Sequence, residues 1–205
     1  MTLREIKMQA LRLMHANVQI VNDADVEGLE FDSNYGPLYA GMPAAINRCF
    51  ADIEARHILP PKRVLLTDGE VRGSRCRFSL EGIEDFSEVA YISCEKGEML
   101  IEEHPFTYEE ENVIRVDGYD ESASYYLYYH RAIPRVWGTT KNSEEVPLPD
   151  ALAVAVPWFV MSEIFRVDEP GEANDGRNHY EAAVEQYAAL RRVRRQGAVK
   201  TVFGY

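Results

Sequence analysis

The sequence predicts an α+β protein: a four-helix bundle built from the N- and C-terminal segments, with an inserted antiparallel β-sandwich or barrel. Three observations lead there. Residues 1–57 and 149–195 carry apolar residues at helical spacing, while residues 62–136 break into short β-favouring runs. The turn pairs Asp68-Gly69, Lys96-Gly97 and Asp117-Gly118 separate those runs, with no helix between them. The length, 205 residues, suits one domain or one domain with an insertion. The expected organisation is a helical bundle from 1–61 and 147–196, a β domain from 62–136 and an extended C-terminal tail from 197–205.

Each element has a local cause. Thr2 and Glu5 form a capping box, in which each side chain satisfies an orphan amide of the other. Leu3, Ile6, Ala10, Leu13 and Met14 then share one helical face, and the acidic stretch 18–34 reads as a surface loop. A second helix is expected from 34–37 to about His57, with Ala45, Ile46, Cys49, Phe50 and Ile53 as its apolar stripe. Pro43 starts its regular part or kinks a longer helix, because proline lacks an amide and crowds the preceding turn. Pro60-Pro61 ends the helical region.

Six strands are predicted, at 63–67, 75–80, 89–94, 99–101, 113–116 and 124–130. In the last, Tyr125, Leu127 and Tyr129 alternate with Tyr126, Tyr128 and His130. A sandwich, an open barrel or a single twisted sheet on the helices would satisfy this pattern. Pro134 to Pro149 is a linker back to the helices. Residues 151–160 are apolar on nearly every side, which marks a buried helix kinked at Pro157. A final helix from about 173 to 195 points Tyr180, Ala183, Val184, Tyr187 and Leu190 inward, and the last ten residues read as extended.

Composition narrows the function. The apolar fraction of 46% is too high for disorder, and no apolar run spans a bilayer. The N-terminal stretch interleaves charges with apolar residues and does not read as a signal peptide. Cys49, Cys76 and Cys94 are widely spaced, as expected of reduced, buried thiols. The net charge of −12 conceals an asymmetry. Arg191, Arg192, Arg194, Arg195 and Lys200 follow the last acidic residue. Removing those five leaves 17 basic against 34 acidic side chains in residues 1–190, a net charge of −17. An acidic body repels nucleic acid and argues against DNA recognition.

No catalytic signature stands out. Asp23, Asp25, Glu27 and Gly28 resemble the start of a calcium loop, but its twelfth position is Asn34 rather than glutamate. Glu102, Glu103 and His104 with Glu109, Glu110 and Glu111 could supply metal ligands for a hydrolase. Neighbouring strand residues point to opposite faces, however, so a charged hairpin edge explains them more simply. The five histidines are scattered, and there is no nucleophile elbow, paired-histidine zinc helix or phosphate loop. No enzymatic activity, cofactor or metal is expected. What remains is contact: Phe203 and Tyr205, following Arg191, Arg192, Arg194, Arg195 and Lys200, combine residue types that anchor interfaces. Arginines near a helix end can alternatively complement the helix dipole. A rival reading makes the β domain a binding module for carbohydrate or another protein, with Tyr125, Tyr126, Tyr128, Tyr129 and Trp137 as a stacking face.

Most of the chain resembles the head-to-tail connector (adaptor) proteins of tailed bacteriophages. The resemblance rests on MTLREIKMQALRLM, on MPAAINRCFADIEARHILPPKR, and on the helical pair in LPDALAVAVPWFVMSEIFRVDEPGEANDGRNHYEAAVEQY. It implies a virion structural protein, made in the host cytoplasm, that assembles as a homo-oligomeric ring, generally twelvefold. Such a ring binds the portal protein on one side and downstream tail proteins on the other. Genomic DNA passes through it without sequence-specific binding, and no membrane is involved.

Overall fold

The computed structural model describes residues 1–14, 35–101 and 103–199. Over these residues the chain is a mixed α+β protein, with helices toward both ends and two antiparallel sheets between them. It divides into two compact units, residues 1–52 with 135–205, and residues 53–134.

The first unit is helical. α1 (Leu3–Met14) opens with the expected capping box: the Thr2 amide donates to Glu5 Oε2 at 2.7 Å and the Glu5 amide to Thr2 Oγ1 at 3.3 Å. The bond from the Thr2 backbone amide lowers the Glu5 carboxyl below its ordinary pKa. The linker adds caps that its composition does not suggest. The Leu3 and Arg4 amides donate to the carbonyls of Glu144 and Asn142, at 2.9 and 2.8 Å. These are first-turn donors with no partner inside the helix. Asn142 also accepts from Lys7 Nζ at 3.0 Å, where the Lys7 side chain lies buried beside the Tyr39 hydroxyl. The segment read as a linker is therefore part of the helical unit.

α2 (Gly36–Ala55) runs through Pro43 as one long helix and buries Ala45, Ile46, Cys49, Phe50 and Ile53 as expected. On α1 the buried stripe uses Leu11, with Leu13 half-buried. The predicted kink at Pro157 is instead a break ahead of it. α3 (Asp150–Ala153) stops, a turn follows, and α4 (Val156–Ile164) restarts with Pro157 in its first turn. A missing amide has no energetic consequence there, because first-turn donors lack helical partners anyway. α5 (Pro170–Val199) continues past the predicted end, so residues 197–199 of the expected extended tail are helical. It packs on α3 and α4, and α1 packs on α4.

The two ends of the chain meet in this unit. Arg48 Nη1 of α2 lies 2.6 Å from Glu163 Oε2 of α4, and the buried Tyr180 of α5 donates to Asp52 Oδ2 at 2.7 Å. The inward stripe of α5 is shorter than predicted. Tyr180 and Val184 are buried, Ala183 and Tyr187 are half-buried, and Leu190 is exposed. α5 has 30 residues and α4 only nine, about 45 Å against 13 Å, so α5 overhangs its packing partner.

The second unit holds eight strands: β1 (Lys62–Leu65), β2 (Glu70–Arg72), β3 (Arg75–Ser79), β4 (Phe86–Lys96), β5 (Met99–Ile101), β6 (Phe106–Glu110), β7 (Val113–Asp117) and β8 (Ser124–Arg131). They form two four-stranded sheets, ordered β1-β8-β4-β5 and β2-β3-β7-β6. Each sheet has two open edges, so the barrel alternative is excluded, as is a single sheet. One buried cluster draws from both: Cys76, Phe78, Ile114 and Val116 from the second sheet, and Val89, Ile92, Cys94, Tyr125, Leu127 and Tyr129 from the first. The sequence misses β2 and β6. Both are sheet edges whose residues are mostly exposed, so neither carries the apolar alternation that marks a strand.

The start of this unit lies at Ile53 rather than Lys62 for a structural reason. α2 ends in a Schellman cap, with the His57 amide donating to Glu54 O at 2.9 Å and the Ile58 amide to Ile53 O at 3.3 Å. The Glu54 carboxylate also accepts from the Ile133 amide, which ties this cap to the exit of β8. His57 occupies the left-handed position of the cap, at φ 48°. At the Asp68-Gly69 turn the left-handed residue is Asp68, at φ 57°. Gly69 is required for space, since a Cβ there would stand 2.3 Å from Cys76 Sγ and 2.6 Å from Phe78.

Candidate interaction surface

The expected contact residues fall on α5 and just beyond it. The helix continues to Val199, and Arg191, Arg192, Arg194 and Arg195 stand on it, as on the helix expected to about 195. Lys200, Phe203 and Tyr205 lie outside the described residues. At 100° per residue, positions 191, 192, 194 and 195 fall within an arc of about 160°. That arc continues the stripe which upstream carries Ala173, Tyr180 and Val184, all buried. Of the four side chains only that of Arg191 is described, and it is half-buried. No basic residue lies in the last turn of α5. The macrodipole acts within the last turn, so it does not account for arginines placed before it.

The opposite end of α5 is acidic. Asp168, Glu169, Glu172 and Asp175 are all exposed, against Arg166 as the nearby exposed cation. Among the described residues no ion pair holds any of the four. Between the two ends, Arg177 Nη2 lies 2.8 Å from Glu181 and 3.5 Å from Asp52, beside the Tyr180–Asp52 bond. This node fixes the middle of α5 to α2.

The proposed stacking face does not assemble as predicted. Tyr125 and Tyr129 point inward and are buried. Trp137 belongs to the helical unit, where the Asn47 side chain pairs with both backbone groups of Val136 at 2.8 Å and leaves the indole 66% exposed. The outer face of the first sheet carries Tyr91, Tyr126 and Tyr128 instead. Their rings already have partners. Tyr91 and Tyr128 stack at 4.3 Å and 13°, and Arg63 lies 3.7 Å over Tyr126. Arg63 is further held by Glu95 at 2.6 Å. The inward tyrosines are chemically quiet. Burial, then a hydrogen bond to Asp85, pushes the Tyr129 pKa up to about 12, and burial does the same for Tyr125.

The acidic hairpin resolves as an ion-pair ladder. Glu109 Oε2 lies 2.5 Å from Arg77 Nε and its Oε1 lies 3.1 Å from Arg115 Nη1; Asp117 holds Arg115 and Arg75 at 3.1 and 3.2 Å. Glu109 therefore screens two arginines that face each other directly across β3 and β7. His104 packs edge-on to Tyr125 at 5.2 Å, and Glu102 lies outside the described residues. Among the described residues no group of three or more metal-ligating side chains converges. The calcium-like segment 23–34 also lies outside the described residues. One pairing is invisible in sequence: the His57 and His130 rings lie 4.1 Å apart, tilted by 35°, with Glu88 3.6 Å from His57 Nε2. No helix among the described residues is long and apolar enough to cross a membrane.

No protein-family model matches the chain, and no curated protein matches it.

Proposed function

We propose that this protein is a ring-forming head-to-tail adaptor of a tailed-phage virion, joining the portal to the tail and lining part of the DNA passage. In this reading the helical unit is a four-helix bundle that packs copy against copy. The inserted β-sandwich serves as the platform for the next tail component. The observation that carries it is α5, one 30-residue helix that overhangs its core and bears four arginine positions on one arc. An arginine-bearing overhang on an acidic chain is a contact device without chemistry. The acidic chain, net −12 over its full length, suits a passage through which DNA slides without adhering. The protein would be made in the host cytoplasm and reside in the virion, in a ring that is generally twelvefold, between the portal and downstream tail proteins. Electron microscopy of the purified protein, alone and with portal, tests this. Rings, or density seated on the portal, are the expected result. Monomers under both conditions refute it.

A further inference from the structure

We infer that the β1 edge of the first sheet is a contact surface for a second copy of this chain, with the two β1 strands antiparallel about a two-fold axis at Val64. The contact concerns the β unit alone; it goes beyond the adaptor reading and does not depend on it.

Hydrogen-bond parity shows that this edge is open. β1 pairs with β8 from Lys62 opposite Tyr129 to Leu65 opposite Tyr126, and the Leu66 amide continues the ladder by donating to Tyr125 O at 2.9 Å. Bonded and non-bonded pairs alternate along an antiparallel ladder. Lys62, Val64 and Leu66 therefore bond to β8, while the amides and carbonyls of Arg63 and Leu65 point away from it. β1 ends the sheet, so no further strand meets those groups.

Sheet edges are ordinarily guarded by short length, bulges or projecting charges. β2 and β5 have only three residues each, and β6 carries an irregularity between Tyr108 and Glu110. β1 has four residues in unbroken register. Its two cations are drawn off the edge: Lys62 Nζ reaches Asp85, and Arg63 lies over Tyr126 with Glu95 at 2.6 Å. Leu65 is left 46% exposed.

The order of residues in the strand selects a second copy as the occupant. Lys62 and Arg63 form a cationic half, and Leu65 and Leu66 an aliphatic half. Antiparallel pairing about Val64 sets Arg63 opposite Leu65 of the second copy and Lys62 opposite its Leu66, so no like charges face each other. Parallel pairing in register would set cation beside cation. Each Arg63–Leu65 pair exchanges two backbone bonds, four in all, and the leucine covers the aliphatic stem of the arginine. Pro61 falls opposite Thr67 of the second copy and has no amide to donate, which ends the seam. Such a seam buries less than the roughly 1,000 Å² of a stable interface, so the pairing is weak and is best read by trapping.

A disulfide trap in the full-length chain tests it. Hydrogen-bonded antiparallel partners stand about 5.5 Å apart at Cα, within disulfide reach. Cys49, Cys76 and Cys94 are buried and do not compete. Arg63→Cys and Leu65→Cys are prepared as separate proteins, mixed in equal amounts and mildly oxidised. The expected product is the mixed dimer, in several-fold excess over what random collision of the two gives. Adding Leu65→Pro to the Arg63→Cys protein removes an outward amide that the β1–β8 ladder does not use, a place where an edge strand tolerates proline. The excess should vanish, while tyrosine fluorescence during urea unfolding shows the β unit intact. Leu65→Lys, which returns a guarding charge to the edge, should act the same way and serves if proline unfolds the unit. A yield at the random level, homodimers in excess, or an excess that survives these substitutions overturns the contact. Rings are read separately by electron microscopy, so failure of the trap leaves the adaptor reading standing.

Discussion

Tyr180→Phe tests whether the two ends of the chain are held together by a specific bond. The substitution keeps the ring, which is fully buried and packs edge-on against Phe159 at 4.9 Å, so it opens no cavity. It removes one oxygen, whose hydrogen bond to the Asp52 carboxylate is 2.7 Å long. A hydrogen bond to a charged group contributes about 1.5–3 kcal/mol. The Asp52 side chain is 23% exposed, so water can replace part of the lost bond, and Arg177 Nη2 remains 3.5 Å from the other oxygen. The net loss should therefore lie near the lower bound, about 1–2 kcal/mol, or about 2–8 °C in melting temperature for a chain of this size. The assay is selective, because both tryptophans, Trp137 and Trp158, lie in the helical unit. Denaturation followed by tryptophan fluorescence thus reports that unit. A change below about 0.5 kcal/mol would mean that α5 is held by apolar packing alone and that the bond adds nothing.

Other expectations follow from single positions. Gly69→Ala should destabilise the β unit by about 1–3 kcal/mol, because its methyl meets Cys76 Sγ at 2.3 Å and the Phe78 ring at 2.6 Å; tyrosine fluorescence during urea unfolding checks it. His57→Gly should stabilise that unit by about 1 kcal/mol, since glycine relieves the left-handed backbone at φ 48°. Destabilisation would show that the ring contact with His130 and the Glu88 contact outweigh the strain. In an alkaline titration read at 295 nm, Tyr125 and Tyr129 should ionise only near pH 12, well after the exposed tyrosines. The folded state then retains protons that the unfolded chain releases near pH 10. Stability contributed by these two residues is therefore full below about pH 10 and is lost as pH rises toward 12.

Much of the architecture was legible because period and punctuation were strong. The capping box, the stripe of α2 and six of eight strands follow from spacing and turn chemistry. The contact residues were legible in part. Five cations after the last acid are visible in the sequence, and the helix expected to about 195 already carries the four arginines; Lys200 lies outside the described residues. What the sequence misses is the last turn of the helix: QGAVKTVFGY reads as extended, yet α5 runs on through Val199. The stacking face failed because alternation states that successive tyrosines face opposite ways, not which set is covered. The second sheet decided that, placing Tyr125 and Tyr129 in the shared core.

The sequence by itself determined the order of helical and strand segments, the local caps and turns, and the separation of acidic from basic residues, because these depend on neighbours within a few positions. Only tertiary structure decided that eight strands form two open sheets, that the supposed linker caps α1, and that α5 overhangs its core. Those outcomes depend on which distant surfaces lose water together, and a linear pattern does not specify that pairing.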